Sequence, residues 1–515
     1  MQLNDHQGGP TMARLTRRTL TAHPDRVAFS WDGGSATYAQ TEAMIGQFQK
    51  VLADAGLQHG QGVAALGGNR IEVWALGQAV QSSGMYTTWL HPMGGLSDQL
   101  FQIEDSGVSA LVLDETHFAE RTTALAAEAK ARGLVVFTMG PSEVADDLAS
   151  AAERVGAQPM QMIGQADDLA IVNYTGGTTG RPKGAQRRQA NQIRGAIDII
   201  SDFNIPRGAN YLLVAPMSHV AGTNILPTLI KGGTVHMLTG FDPAKVLETI
   251  ERERINFALF VPTMIYAMLD HPDIATRDLS SLELVLYGAS PMSVSRLREG
   301  IEKIGPVFAQ LYGQTELYPV SMLTKDDHDL SRPELLLSCG RPVVGVDVSI
   351  RDDRNNEVAI GEIGELCVRG ASAMDSYWKR PDITAETIVD GWLHTGDVGR
   401  QDAEGYLYIV DRKKDMIISG GFNVFPREVE DALTAHPAVA TAAVYGVPDD
   451  RWGEQVTAAV VLKPGASATS EDLIAQVREL KGPVQSPKAV HIVDELPQTA
   501  VGKIDKKVLR ERENG

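Results

Sequence analysis

The clearest pattern along the chain lies between residues 234 and 316, where short apolar runs alternate with amphipathic segments. The apolar runs are rich in β-branched and aromatic residues and predict strands: TVHML (234–238), NFALFV (256–261), LELVLY (282–287) and VFAQL (307–311). The helices between them are predicted to start at Asp242, Thr263 and Ser290, since two of these are polar cap residues followed by proline. Alternating strands and helices predict a parallel sheet covered by helices.

The carboxyl ends of these predicted strands carry small residues and polar groups. They read VPT (261–263), YGAS (287–290) and YGQTE (312–316). Ligands of open α/β sheets bind beyond the carboxyl ends of the strands, so we expect a binding site at this edge.

The pattern changes after about residue 340. Apolar and polar residues alternate over 346–370, which predicts an antiparallel sheet or barrel, and 394–412 predicts a hairpin closed around Asp402–Gly405. A small α+β unit follows, with a helix from Pro426 and strands at 441–447 and 455–462. Its last helix begins at Ser470 and is predicted to bury one face, formed by Leu473, Ile474, Val477 and Leu480. We therefore predict domains 1–410 and 411–515.

The stretch NYTGGTTGRPKG (173–184) follows a predicted strand, DLAIVNY (168–174). It lacks the G-x-x-x-x-G-K-[ST] pattern of a nucleotide-binding P-loop. Pro182 disfavours helical geometry at Arg181, so the loop is not expected to run straight into a helix. Its backbone N–H groups, its threonine hydroxyls and Lys183 could still bind a phosphate.

Composition narrows the range of partners. The net charge of −18 argues against non-specific binding to nucleic acids or anionic membranes, so local cations and N–H groups must meet any anionic ligand. Cys339 and Cys367 are too few for a disulfide framework and are expected to be reduced, buried thiols. The N-terminal arginines precede no apolar run, and no stretch reaches the length of a membrane span. We therefore expect a cytoplasmic protein without an integral membrane segment.

Five stretches resemble, in order, the motifs of the adenylate-forming (AMP-binding) superfamily, which includes acyl-CoA synthetases, luciferases and peptide-synthetase adenylation domains. They are YTGGTTGRPKG (174–184), YGQTE (312–316), TGD (395–397), GYLYIVDRKKDMIISGGFNVFPREVE (405–430) and PQTAVGKIDKKVLR (497–510). The resemblance implies an α/β fold with a large N-terminal domain of parallel sheets and helices plus a small β-barrel. A small α+β C-terminal domain is hinged to it.

The resemblance also implies a two-step reaction. A carboxylate attacks the α-phosphate of ATP to give acyl-AMP and pyrophosphate, and a thiol, usually that of coenzyme A, then displaces AMP. Mg²⁺ bridges the phosphates, and the partners are a small carboxylic acid, ATP and CoA, without nucleic acid. The oligomeric state stays open, with a homodimer as one option.

The resemblance assigns roles residue by residue. The phosphate-loop residues are Thr175, Gly176, Gly177, Thr178, Thr179, Gly180 and Lys183. The adenosine residues are Gly288, Ala289, Ser290, Tyr312, Gly313 and Thr315, with Asp397 on the ribose hydroxyls and Arg412 on ribose or phosphate. Glu316 and Thr178 match the metal site, Asp411 the hinge, and Gly420, Gly421 and Phe422 the pantetheine channel. Lys503 matches the lysine that enters the site during adenylation. Tyr312 could instead be a core tyrosine.

The part of the site that binds the acyl group is inferred from APMSHVAGTN (215–224), which matches the family segment that gates the acyl pocket. His219 is the candidate gate and is counted with Glu316 and Lys503 as catalytic, although a core histidine is an alternative. Val261, Met264 and Tyr287 would add apolar wall. No acid within 215–224 could bind a substrate ammonium, so we expect a fatty acid first and an aromatic or ring-bearing acid second.

Gly176 departs from the family, which usually has serine there. Loss of one hydrogen bond to a charged group is worth about 1.5–3 kcal/mol.

Three functions remain in view. An acyl-CoA ligase is favoured, because the chain ends soon after the last motif without a carrier domain, which suits a free acceptor such as CoA. Delivery of the adenylate to a separate carrier protein, or its oxidation, is the second. A nucleotide-binding scaffold with a degenerate site is the third, and the presence of Glu316, Asp397, Arg412 and Lys503 argues against it.

Overall fold

The structure is a computed structural model that describes residues 11–175, 182–290, 292–413, 415–419, 422–449, 452–498 and 504–513. The strands are β1 (Val27–Trp31), β2 (Gly34–Thr37), β3 (Gly62–Leu66), β4 (Tyr86–Trp89), β5 (Ala110–Asp114), β6 (Val135–Met139), β7 (Asp146–Asp147), β8 (Leu169–Tyr174), β9 (Gly184–Arg188), β10 (Asn210–Leu213), β11 (Thr234–Met237), β12 (Phe257–Phe260), β13 (Leu284–Gly288), β14 (Phe308–Tyr312), β15 (Ser321–Leu323), β16 (Arg341–Pro342), β17 (Val346–Arg351), β18 (Gly364–Gly370), β19 (Ser376–Tyr377), β20 (Ile388–Val389), β21 (Trp392–Gln401), β22 (Leu407–Arg412), β23 (Ile417–Ser419), β24 (Phe422–Val424), β25 (Val439–Asp449), β26 (Gly453–Leu462) and β27 (Ala489–Ile492).

The α-helices are α1 (Met12–Ala22), α2 (Tyr38–Asp54), α3 (Ile71–Ser82), α4 (Leu96–Ser106), α5 (Glu115–Ala131), α6 (Leu148–Val155), α7 (Gln189–Asp202), α8 (Ile225–Ile230), α9 (Pro243–Arg252), α10 (Pro262–Asp270), α11 (Val294–Ile304), α12 (Pro381–Thr387), α13 (Pro426–Thr434), α14 (Ser470–Lys481) and α15 (Lys506–Glu513). Short 3₁₀ helices span Val220–Asn224, Pro272–Ala275, Lys325–Asp327 and Pro333–Leu337.

Two large sheets, each mostly parallel, form the first part of the molecule. One has the order β16-β15-β14-β13-β12-β10-β11-β1-β2, and the other β19-β9-β8-β4-β3-β5-β6-β7. The four strands predicted between residues 234 and 316 are present as β11 to β14. Neighbouring β12, β13 and β14 pair in parallel register, which confirms the predicted parallel sheet.

The predicted helix starts in this region are partly correct. Asp242 caps α9, because its carboxylate accepts the Lys245 N–H at 2.8 Å. The next helix begins at Pro262, one residue before Thr263. The prediction of a helix from Ser290 is wrong, since α11 begins at Val294. Ala289 has a φ of +65°, in the left-handed region, and this turn delays the helix.

An antiparallel sheet follows, as predicted, in which β17 pairs with β18, β18 with β21, and β21 with β20 and β22. The last sheet, β24-β23-β26-β25 with β27 on β26, packs against α13 and α14 through a core that includes Val429, Leu433 and Val444. In α14 Leu473 is fully buried, but Leu480 is 56% exposed, so the predicted apolar face is shorter than expected. The division into domains 1–410 and 411–515 stays a prediction.

Candidate active site

Both large sheets direct the carboxyl ends of their strands toward the predicted site residues. β13 ends at Gly288 and β14 at Tyr312, and the segment up to Glu316 follows at once. Close packing requires glycine at two of these positions. A Cβ at Gly288 would lie 2.4 Å from the Leu311 carbonyl oxygen, and one at Gly313 would lie 2.7 Å from the Tyr318 ring. Strand packing therefore brings the backbone predicted to contact adenine beside Tyr312.

Asp397 is the centre of a hydrogen-bonded cluster. Its side chain is almost fully buried in β21, and its Oδ2 accepts the Tyr312 hydroxyl at 2.6 Å and the Gln314 amide at 2.7 Å. The Arg412 Nε lies 3.1 Å from Oδ1, because β21 and β22 place residues 397 and 412 opposite each other. Burial, followed by the Asp397 charge, raises the pKa of Tyr312 well above its ordinary value. Three residues predicted to bind adenosine are therefore in contact.

Glu316 stands in a second cluster, which the Tyr377 side chain connects to the phosphate loop. The Tyr377 hydroxyl donates to Glu316 Oε1 at 2.6 Å, and the Lys183 ammonium lies 5.2 Å from the centre of the Tyr377 ring. The Arg187 guanidinium, nine-tenths buried, donates to the carbonyl oxygen of Thr315. Burial lowers the pKa of Arg187 to about 10, while the carboxylate of Glu316 opposes this shift. Arg187 therefore stays a cation at neutral pH next to Glu316.

The phosphate loop joins two antiparallel strands. β8 and β9 pair, with Tyr174 opposite Gly184, and the Thr175 N–H donates to the Lys183 carbonyl oxygen at 2.9 Å. The prediction that the loop does not run straight into a helix is confirmed. Several predicted site residues lie outside the described residues: Gly176, Gly177, Thr178, Thr179, Gly180, Gly420, Gly421 and Lys503.

His219 lies in the segment that follows β10, where it is exposed and its Nδ1 is 2.9 Å from the Ser218 hydroxyl. The ring of His91, which follows β4 of the other sheet, meets His219 edge to face at 4.4 Å between centroids. Burial lowers the pKa of His91 to about 4, so this ring is neutral near pH 7. The two histidines meet where the carboxyl ends of the two sheets converge.

Asn69 fixes the backbone that leads to His219. Its side-chain amide donates to the carbonyl oxygens of Val214, Ala215 and Leu238 at 3.1–3.2 Å and accepts the Met217 N–H at 2.9 Å. Since Asn69 follows β3, one side chain ties the two sheets together next to the candidate acyl gate.

Tyr287 does not have the predicted wall position. Its side chain is 1% exposed, and its hydroxyl contacts Gln310 and His328 at 3.3 and 3.0 Å. Tyr287 is therefore a core residue. Phe422, predicted to line the pantetheine channel, is 60% exposed at the start of β24.

Asp411 and Arg412 are the last two residues of β22. The Asp411 carboxylate accepts the N–H groups of Arg412 at 2.7 Å and Arg427 at 3.0 Å, which connects β22 to α13. Burial raises the pKa of Asp411 to about 6, and nearby Lys506 opposes this shift. The predicted hinge residue is therefore a buried group shared by the strand and the helix.

Five residues of these clusters escaped the sequence analysis: Asn69, His91, Arg187, Gln314 and Tyr377. Gln314 stands inside YGQTE and could have been read from that motif. The other four act through contacts with distant segments, which no local pattern signals.

Cys339 and Cys367 are buried and unpaired, as predicted, and burial raises their pKa values to about 11 and 12. Within the described ranges no three His, Cys, Asp or Glu side chains converge in an arrangement that could hold a metal ion. Every helix in those ranges is too short or too polar to cross a membrane.

Comparisons with known proteins agree with this geometry. A protein-family model described as AMP-binding enzyme matches residues 16–378, and one described as AMP-binding enzyme C-terminal domain matches residues 428–503. The chain belongs to the AMP-binding enzyme family. Within that family it is an adenylate-forming enzyme of the acyl-CoA ligase branch, which confirms the predicted ATP-dependent, AMP-forming ligase.

Individual relatives span nearly the whole chain. A medium/long-chain-fatty-acid–CoA ligase of Mycobacterium tuberculosis is 44% identical over 96% of this chain and 88% of its own length. A feruloyl-CoA synthase of Amycolatopsis is 37% identical over 96% and 97%. Among solved structures, the amide bond synthetase McbA of Marinactinospora thermotolerans has a TM-score of 0.89 and 36% identity, covering 97% of this chain and 99% of that one. ATP-bound MatB of Rhodopseudomonas palustris has a TM-score of 0.87 and 30% identity, covering 97% and 98%. These likenesses confirm the predicted fold class.

Proposed function

We propose that the protein activates a medium- or long-chain fatty acid with ATP and Mg²⁺ and transfers the acyl group to coenzyme A. The observation that carries the proposal is the 44% identity to a medium/long-chain-fatty-acid–CoA ligase over 96% of this chain. An aryl or ring-bearing acid is the second candidate, favoured by the 37% identity to a feruloyl-CoA synthase.

The Asp397 cluster would hold the nucleoside. Two carboxylate oxygens suit the vicinal hydroxyls of ribose, and Tyr312 and Arg412 already converge on them at 2.6 and 3.1 Å. The ring of Tyr312 would stack on adenine against the backbone of Gly288 and Ala289. The nucleoside would thereby be fixed at the carboxyl ends of β13 and β14, with its phosphates directed toward Glu316 and Lys183.

The residues present fit Mg²⁺. This ion usually binds through one or two carboxylates plus substrate phosphates rather than through a complete protein cage. Glu316 supplies one carboxylate, and the described residues offer no such cage. When bound, Mg²⁺ would neutralise phosphate charge, while Thr178 stays a predicted second ligand.

Adenylation brings an anionic carboxylate to an anionic phosphate, so positive charge must collect there. Lys183, whose ammonium lies over the Tyr377 ring, and Arg187, which donates to the Thr315 carbonyl oxygen, supply this charge. Such preorganised charges stabilise the charge that develops in the transition state. We assign Lys503 to this step through the family resemblance. Thioester formation would follow rotation about Asp411, which places Phe422 along the path of the pantetheine arm.

The acid would enter beside His219. The segment from Ala215 to Asn224 carries no acidic side chain, which suits an apolar acid rather than an amino acid. The rings of His219 and His91 meet there edge to face, and the His91 ring is neutral near pH 7 because burial lowers its pKa to about 4. A cytoplasmic location and a homodimer stay predictions.

The test is acid-dependent ATP–pyrophosphate exchange with purified protein and Mg²⁺. The panel would hold fatty acids of increasing length, ferulic acid and an α-amino acid. Medium- and long-chain fatty acids are expected to give the highest kcat/KM, the amino acid none. Highest activity with ferulic acid would replace the first candidate by the second. Absence of exchange with every acid, from protein with a cooperative thermal transition, would overturn the proposal.

A further inference from the structure

The short segment around β19 joins the two parts of the site that must act on the phosphates. β19 pairs with β9, the strand that leaves the phosphate loop, with Tyr377 opposite Ala185. The backbone N–H of Trp378 donates to the Gly184 carbonyl oxygen at 2.7 Å. On its other side, the Met374 N–H donates to the Glu316 carbonyl oxygen at 2.7 Å. The segment is therefore bonded to the exit of the loop and to the backbone of the metal-binding candidate.

Within this segment the Tyr377 side chain contacts both Glu316 and Lys183. The Tyr377 hydroxyl donates to Glu316 Oε1 at 2.6 Å. The ring of the same tyrosine lies beneath the Lys183 ammonium at 5.2 Å, within the range in which a cation is attracted to an aromatic face. Tyr377 is itself 6% exposed and is held by its pairing with β9, so both contacts start from a fixed ring.

We propose that Tyr377 is a positioning residue for Mg²⁺–ATP. Its hydroxyl fixes the orientation of the Glu316 carboxylate, which would hold Mg²⁺, and its ring holds the Lys183 ammonium in place before the phosphates of ATP arrive. This inference rests on the proposed function, because it concerns the nucleotide site of the same reaction. No covalent step is involved.

The two contacts can be separated by substitution. Tyr377→Phe keeps the ring under Lys183 but removes the hydrogen bond to Glu316. Tyr377→Leu removes both. The matched control is Tyr406→Phe, because the Tyr406 hydroxyl also donates to a carboxylate, that of Asp327, at 2.6 Å from a side chain that is 2% exposed. Asp327 lies outside both site clusters.

The measurement is calorimetric binding of ATP to each variant, with excess Mg²⁺ and with a chelator. A hydrogen bond to a charged group corresponds to about a tenfold to hundredfold change in affinity. In Tyr377→Phe the gain in affinity that Mg²⁺ gives should fall by at least about tenfold, while affinity in chelator stays near wild type. Tyr377→Leu should lose affinity in both conditions, and Tyr406→Phe in neither.

Two outcomes would overturn the inference. Tyr377→Phe could respond to Mg²⁺ as wild type does, or it could lose affinity equally with and without Mg²⁺, which indicates general damage to the fold. The failure of the proposed function is distinguishable from these. If wild-type protein neither binds ATP in an Mg²⁺-dependent way nor activates any acid, both fail. If wild type activates acids but Tyr377→Phe keeps the full Mg²⁺-dependent gain in ATP affinity, as the Tyr406→Phe control does, the inference alone fails.

Discussion

Asp397→Asn is the substitution that tests the nucleoside site most sharply. It removes one charge from an almost fully buried side chain and changes its volume little. In the wild type, Oδ2 accepts two donors, from Tyr312 and Gln314, and Oδ1 faces Arg412. Gln314 also donates to the Thr395 carbonyl oxygen at 2.9 Å, which fixes the direction of its amide. An asparagine amide would therefore point its own donors at other donors.

The size of the expected loss in nucleotide affinity follows from the loss of the Asp397 charge. One oxygen of the asparagine can accept, so either the pair on Oδ2 or the contact with Arg412 is lost. A hydrogen bond to a charged group contributes about 1.5–3 kcal/mol. A ribose hydroxyl would exchange a charged acceptor for a neutral one, and Tyr312 and Gln314 would lose the acceptor that orients them, so we expect a loss of about 2–3 kcal/mol in nucleotide binding. That corresponds to about a 30- to 150-fold rise in Kd.

The assay is titration of AMP into Asp397→Asn by calorimetry, without Mg²⁺, so that metal binding does not contribute. Asp402→Asn is the control, because this carboxylate also accepts three donors, from Glu404, Tyr406 and Tyr408, but in the hairpin turn. Binding of AMP should weaken in Asp397→Asn and stay unchanged in Asp402→Asn. An unchanged Kd in a folded Asp397→Asn protein would refute the assignment of Asp397 to ribose.

Three further predictions concern other parts of the chain. Lys503→Ala should cripple pyrophosphate exchange but largely spare thioester formation from supplied acyl-AMP, and equal loss of both half-reactions would count against its assignment. Gly176→Ser, which restores the usual serine of the family, should lower the KM for ATP by up to about tenfold; an unchanged KM would show that another contact compensates. Burial lowers the pKa of His328 from 6.5 to about 4, so the unfolded chain binds a proton before the folded protein does. The free energy of unfolding should therefore fall by up to about 3 kcal/mol as pH drops from 6.5 to 4. Denaturant titrations of His328→Gln should lack this fall.

Local patterns correctly predicted five strands of the two large sheets, β8 in one and β11 to β14 in the other. The apolar runs from 234 to 311 became β11 to β14, and the polar cap of Asp242 started α9 where expected. Such features depend on side chains close in sequence, so they can be read from the chain. The start of α11 was missed because Ala289 adopts a left-handed backbone conformation just after β13, and no local sequence pattern signals this turn.

The motifs also named main groups of the candidate site, and three of these, Tyr312, Asp397 and Arg412, are in contact in the structure. They did not show how those groups are held. Tyr377 reaches Glu316 only because β19 pairs with β9, and His91 reaches His219 only because two separate sheets converge. Tyr287 illustrates the converse, since an aromatic at a strand end looked like a pocket wall but its side chain faces the core. Which face of a buried strand a residue occupies depends on both neighbours, and periodicity does not give it.

The most direct test of the central claim follows the oxygen atoms of the acid. A fatty acid whose carboxylate carries heavy oxygen would be incubated with the protein, ATP, Mg²⁺ and CoA, and the products separated by mass spectrometry. If the carboxylate attacks the α-phosphate and CoA then displaces AMP, one labelled oxygen stays on AMP and one stays in the acyl-CoA. Unlabelled AMP, with the label in inorganic phosphate or only in the starting acid, would contradict the account.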